Sequence, residues 1–208
     1  MFRRLGLALA LTPLLLAGAS TPAHAGLLVE SAQDCAAQPT KQVFLPWLDP
    51  LNYVPVHAGD FESGAAGWKL SGARVVDGNE PWRVSGSDDG KSLSIPAGAS
   101  ATSPVMCAGL DHLFMRYFAK SKASLLGTLT SHLRVEVLFE TSTGAVASLP
   151  LGIQVLNSSW APSLPVPVVA NLLPLLPGEH TPVAFRFTAV GSASWTIDDV
   201  YLDPRYRS

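Results

Sequence analysis

"SASWTIDDVYLDP", residues 192–204, sets two adjacent aspartates, Asp198 and Asp199, inside a run otherwise suited to a buried strand. Strands take Ile, Val, Trp and Tyr readily and Asp poorly, so a carboxylate pair here needs solvent or a positive partner. Strict alternation would point Ile197 and Val200 to opposite faces. A β-bulge at Asp198-Asp199 returns both to the core and turns a carboxylate toward the sandwich edge. Such a carboxylate is a ligand for a hard cation, and Ca²⁺, which takes roughly six to eight oxygens, does not require contiguous sequence. The complementary stretch is "GDFESGAAGW", residues 59–68, where Asp60 and Glu62 flank a candidate core Phe61 and glycines let carbonyls turn inward.

Outward from these ends, alternation and β-branched or aromatic enrichment recur at short spacing. The stretches are "WKLSGARVV", "PWRVSG", "SLSIPAG", "ATSPVMCAGL", "LFMRYFAK", "HLRVEVLFE", "VASLPLGIQVL", "PVAFRFTAV" and "SWTIDDVYL". About nine short strands with hairpin-like links such as "SDDGK" predict an all-β domain over residues 58–208, a two-layer antiparallel β-sandwich of the jelly-roll kind. A core of that size needs no oligomer, so a monomer is expected. Residues 161–177, "APSLPVPVVANLLPLLP", are apolar but carry five prolines that forbid a regular spanning helix. They predict a loop over one end of the sandwich, with one short helical turn around Val168 to Leu173. That loop caps the core or meets a protein partner.

The two end motifs resemble the opening and closing strands of the calcium-stabilised jelly-roll carbohydrate-binding modules appended to xylanases and laminarinases. The resemblance spans residues 58–204, with "GKSLSIP" and "VAFRFTAVGSASW" at fitting places between. It implies a structural calcium site that includes Glu62 and Asp198. Asp199 and the backbone around Asp60 are further candidates.

The N-terminal stretch predicts the compartment. Arg3 and Arg4 precede an uncharged apolar run and Ala23-His24-Ala25, which reads as a signal peptide over residues 1–25 and a secreted protein with no membrane span after cleavage. Removing it takes the formal charge from −2 to about −4, and nothing there suggests nucleic acid. Cys35 and Cys107 are the only cysteines, and in an oxidising compartment they predict a disulfide. In the chain-entropy picture a loop that long is worth about 4 kcal/mol. The bridge would tie an N-terminal extension, residues 26–57, to the sandwich.

Sugar recognition needs exposed rings for stacking and planar polar groups for hydroxyls. Alternation in three strands puts Arg116, Arg134, Glu136 and Arg186 on one outer sheet face, with Trp82 or Trp160 at its rim. Guanidinium forks suit vicinal hydroxyls or uronic carboxylates. The other reading of the same four residues is a charge ladder in which Glu136 pairs with neighbouring arginines. Enzymatic signatures are missing: there is no G-x-S-x-G, no H-E-x-x-H and no Cys/His cluster, and Glu80, Glu136 and Glu140 have no context that singles them out. The expectation is therefore a non-catalytic module that binds a glycan. A protein-interaction module using 161–177 and an uncharacterised hydrolase stand behind it.

Overall fold

The computed structural model describes residues 39–109, 112–123, 130–141, 143–168 and 180–204. The predicted leader, Cys35 and residues 169–179 of the apolar loop lie outside them, and so does most of the expected helical turn. After a 3₁₀ turn at Leu45–Trp47 come the strands β1 (Val54–Pro55), β2 (Lys69–Ser71), β3 (Arg74–Asp77), β4 (Lys91–Ile95), β5 (Ser100–Thr102) and β6 (Met106–Gly109). Then follow β7 (His112–Lys122), β8 (His132–Glu140), β9 (Val146–Val155), β10 (Ala161–Pro162), β11 (Val166–Pro167), β12 (His180–Val190) and β13 (Ser194–Pro204). No described helix is long and apolar enough to cross a membrane.

The strands form two antiparallel sheets packed as a sandwich, as the pattern of short alternating segments predicts. One runs β10-β7-β13-β4-β3, with β1 also on β13 and β11 also on β7. The other runs β2-β5-β12-β8-β9, with β6 also on β12. Leu93, Ile95, Tyr117, Trp195 and Ile197 from the first sheet meet Leu133, Val135, Val137, Phe185 and Phe187 from the second in the main core. Full burial of each such side chain is worth about 1.5–3 kcal/mol.

Three sequence expectations need correction. "WKLSGARVV" is two strands in different sheets, because Gly72 takes φ +76° and lets the chain turn from β2 to β3. "PWRVSG" is a loop, with Glu80 accepting bonds from the amides of Trp82 and Val84 (2.7 Å for Val84) in place of a strand ladder. The described part of the apolar segment is not a loop over the sandwich end. It pairs along β7 through β10 and β11, which places Val168 in the core and leaves Leu164 exposed.

The first sheet is also covered on its outer side. Val43, Phe44, Tyr53, Phe118 and Tyr201 form a second core there, with Trp47, Val84 and Trp160 packed against it. This explains why both parities of "LFMRYFAK" are apolar: Met115, Tyr117 and Ala119 enter the sandwich, while Phe118 enters the core beneath the N-terminal segment. That segment is tied down further by β1, whose Val54 and Pro55 pair with Leu202 and Tyr201 of β13.

Candidate functional site

β13 changes neighbour along its length. Residues 195–197 pair with β4, residues 201–202 pair with β1, and the register slips between Asp198 and Tyr201 on the β7 side. The slip is the bulge anticipated from Ile197 and Val200, both of which are in the core. Asp199, at φ +50°, supplies the extra residue. The gap between β4 and β1 is filled by two loops. Val56 and Gly59 bond the backbone of Val200 (Val56 N–H to Val200 O, 2.9 Å; Val200 N–H to Gly59 O, 3.2 Å), and Glu80 N–H donates to Asp198 Oδ2 at 3.4 Å. A Cβ on Gly59 would lie 2.9 Å from Val56 O and 3.2 Å from Val200 O, so only glycine fits.

Into this gap come Glu80, Asp89, Asp198 and Asp199, none more than 3% exposed. One carboxylate oxygen each of Glu80, Asp89 and Asp199 lies within 4.8 Å of the others. Both oxygens of Asp89 and Oδ2 of Asp199 are buried without a hydrogen-bond partner among the described residues. Asp199 Oδ1 accepts from the Ser85 hydroxyl and, at 3.3 Å, from the Tyr201 hydroxyl. Asp198 Oδ1 accepts from Asp199 N–H at 2.9 Å.

Burial, then the charges of Asp199 and Asp89, pushes Asp198 up to about 10. Burial, with Asp89 and Glu80 adding, raises Asp199 to about 8 against the donation from Ser85. Asp89 rises to about 6, again from burial first and from the charges of Glu80 and Glu62. Uncompensated buried carboxylates are costly, so this cluster calls for protons or a cation.

The four residues expected to hold metal divide accordingly. Asp198 and Asp199 are in the cluster. Glu62 stands beside it, its Oε1 accepting from Gly90 N–H (2.9 Å) and Lys91 N–H (2.5 Å) and so fixing the backbone next to Asp89. Asp60 lines a cavity of about 360 Å³ with His57, Ser85, Asp199 and Tyr201. Sequence reasoning missed Glu80 and Asp89. The available signal was the acid- and glycine-rich run "DGNEPWRVSGSDDGK", of which "PWRVSG" was read as a strand and "SDDGK" as a hairpin-like link.

The six residues expected to bind ligand do not form one face. Arg134, Glu136 and Arg186 are together on the outer side of the second sheet, Arg186 facing Glu136 in the β8–β12 register. Arg186 grips Glu136 through both Nε–Oε2 and Nη2–Oε1 at 3.0 Å, and Arg134 Nε lies 3.3 Å from Oε2. The hydrogen bonds from Arg186 hold the Glu136 carboxyl below its ordinary range. This is the charge-ladder arrangement.

Arg116 belongs to the other sheet and is buried. Its Nε and Nη2 donate to Ser163 O (3.1 and 2.8 Å), its Nη1 meets Asp49 Oδ2 at 2.6 Å, and it lies 4.3 Å over the Phe44 ring. The expectation that it shares a face with Arg134 fails because β7 and β8 lie in different layers, which alternation within a strand cannot reveal. Trp82, 45% exposed, stands edge-on to Trp47 at 5.0 Å on the outer side of the first sheet. Trp160 lies under Lys120 Nζ at 4.7 Å. Cys107 is buried on β6, and no described cysteine is free.

Neither a family model nor a curated protein sequence matches the chain. Among solved structures it is similar to the C-terminal family 22 carbohydrate-binding module of a Clostridium thermocellum xylanase, at 13% identity over 71% of this chain and 92% of that one, TM-score 0.46. A xylan-binding module of the same family from Paenibacillus barcinonensis gives 14% identity over 71% and 92%, TM-score 0.46. A longer Clostridium thermocellum xylanase fragment complexed with xylohexaose gives 15% identity over 67% of this chain and 26% of that one, TM-score 0.42, so this chain spans about a quarter of its length. These neighbours are carbohydrate-binding modules, the kind of domain that the two end motifs resemble.

Proposed function

We propose that the chain is an exported, non-catalytic carbohydrate-binding module locked by a structural Ca²⁺ at Glu80, Asp89, Asp198 and Asp199. The carboxylate cluster carries this reading. Two oxygens that each lie about 2.4 Å from one cation can be no more than about 4.8 Å apart, which is the span within which the oxygens of Glu80, Asp89 and Asp199 fall. The unpartnered oxygens of Asp89 and Asp199 have the chemistry of hard-cation ligands. Bound there, the ion supplies the positive charge that lets all four acids ionise in a buried site.

The site also bears on the ligand surface. Glu80 holds the loop that carries Trp82 by accepting from the Trp82 and Val84 amides, so fixing Glu80 fixes the ring. Trp82 offers its exposed face for a sugar to stack on, with Trp47 at its edge. Arg134 and Arg186 are committed to Glu136 and serve the sheet.

Retention of the full chain on insoluble xylan, mixed-linked glucan, galactan and cellulose, with millimolar Ca²⁺ or with chelator, tests the reading. Binding with Ca²⁺ that is lost in chelator and in Trp82→Ala supports it. No retention on any of them overturns the carbohydrate part, and a melting temperature indifferent to chelator overturns the cation.

A further inference from the structure

On the outer side of the first sheet, away from the carboxylate cluster, lies a cavity of about 490 Å³ lined by Ser94, Lys120, Ser121, Lys122, Ser194, Trp195 and Thr196 among others. We propose that it is a second ligand site, for an anionic saccharide that carries sulfate or uronate groups. It goes beyond the reading above, needing neither the cation nor Trp82.

The register builds the site. Lys122 faces Ser194, and Lys120 faces Thr196, which faces Ser94 on its other side. Arg74 is next in the same row, opposite Ser94. Directly opposed residues in antiparallel strands share a face, and strands lie about 4.8 Å apart. The row Lys120–Thr196–Ser94–Arg74 therefore crosses three strand spacings with a cation at each end and hydroxyls between, and Lys122 and Ser194 start a second row. Hydroxyl donors flanked by cations match a sugar ring that bears both hydroxyls and an anionic substituent.

One observation separates this from an ordinary solvated face. Lys120 and Lys122 stand two residues apart on one side of β7, their like charges adjacent. Among the described residues neither makes an ion pair, and no carboxylate lines the cavity. An anion removes that repulsion. Trp160 stands beside Lys120, its ring centre 4.7 Å from the ammonium.

The test is binding of the full chain to immobilised dextran sulfate and to polygalacturonate, with a neutral xylan column and phosphatidylserine vesicles in parallel. Lys120→Ala/Lys122→Ala is expected to weaken binding to at least one anionic polysaccharide by about tenfold or more. The control Lys41→Ala/Lys69→Ala, which removes the same charge elsewhere, is expected to leave it nearly unchanged. Tighter retention on dextran sulfate than on polygalacturonate identifies sulfate, and the reverse identifies uronate. Equal losses in both double variants, or lysine-dependent binding to the vesicles alone, overturns the proposal. Chelator and Trp82→Ala are expected to spare this binding, so its failure and that of the neutral-glycan reading are told apart.

Discussion

Asp199 occupies the left-handed region at φ +50°, and so do Ala58 (+50°), Phe61 (+57°) and Arg83 (+51°) in the loops around the same carboxylates. Each such residue costs about 1–2 kcal/mol, and the bonds of the cluster hold them there. Because the acids are raised above their ordinary value of 3.8, the folded state keeps protons that the unfolded chain releases. In chelator, stability is therefore fully present below about pH 4, and it falls as pH rises through the folded values of about 6 for Asp89 and about 8 for Asp199. Thermal melts from pH 4 to 9 in chelator should show that decline, and 10 mM Ca²⁺ should flatten or reverse it. At neutral pH the ion should add about 1–3 kcal/mol for the affinity usual in extracellular modules. Asp89→Asn should abolish that increment yet cost little, or stabilise, in chelator, since it removes a buried charge that has no partner. At this scale the sequence revealed Asp198 and Asp199, which lie in a recognisable strand motif, and the turn residue Glu62 beside them. It hid Glu80 and Asp89, whose neighbours are brought close only by the gap between β4 and β1.

The segment before β1 is an element without periodicity, yet it covers a sheet face. It does so through Phe44 stacked on Phe118 at 5.4 Å and through Asp49, which takes Arg116 and the Tyr53 hydroxyl on one oxygen. Truncating one member of a buried ion pair leaves the other charge unpaired, at about 3–5 kcal/mol. Arg116→Ala should therefore lower stability by about 3 kcal/mol and speed proteolysis between residues 39 and 55. Arg134→Ala should cost no more than about 1 kcal/mol, because Arg186 still holds Glu136. Denaturant melts of both variants check the contrast, where three arginines lining one exposed face would give similar small losses. Strands and the bulge were legible because alternation and the Ile197–Val200 parity are local. The split at Gly72, the layer that each strand joins and the covering of the first sheet are tertiary, and the doubly apolar "LFMRYFAK" was the one local sign of the last.

Across the whole molecule, the expected disulfide would tether a segment upstream of residue 39 to β6, behind the sheet to which β1 adheres. Peptide mapping without reductant should join the Cys35 and Cys107 peptides, and free thiols on both would refute the bridge. The order of strands has a further consequence, in time. β13 lies between β7 and β4 and also carries β1, so three segments made earlier depend on residues 194–204. Until that stretch emerges, the first sheet exists as separate fragments with open edges, although every strand of the second has been made. Such non-local closure sets folding on the millisecond-to-second scale. A chain stopped at Gly191 should thus show no hydrogen-exchange protection in β1, β4 and β7, because the strand that joins them has not been made.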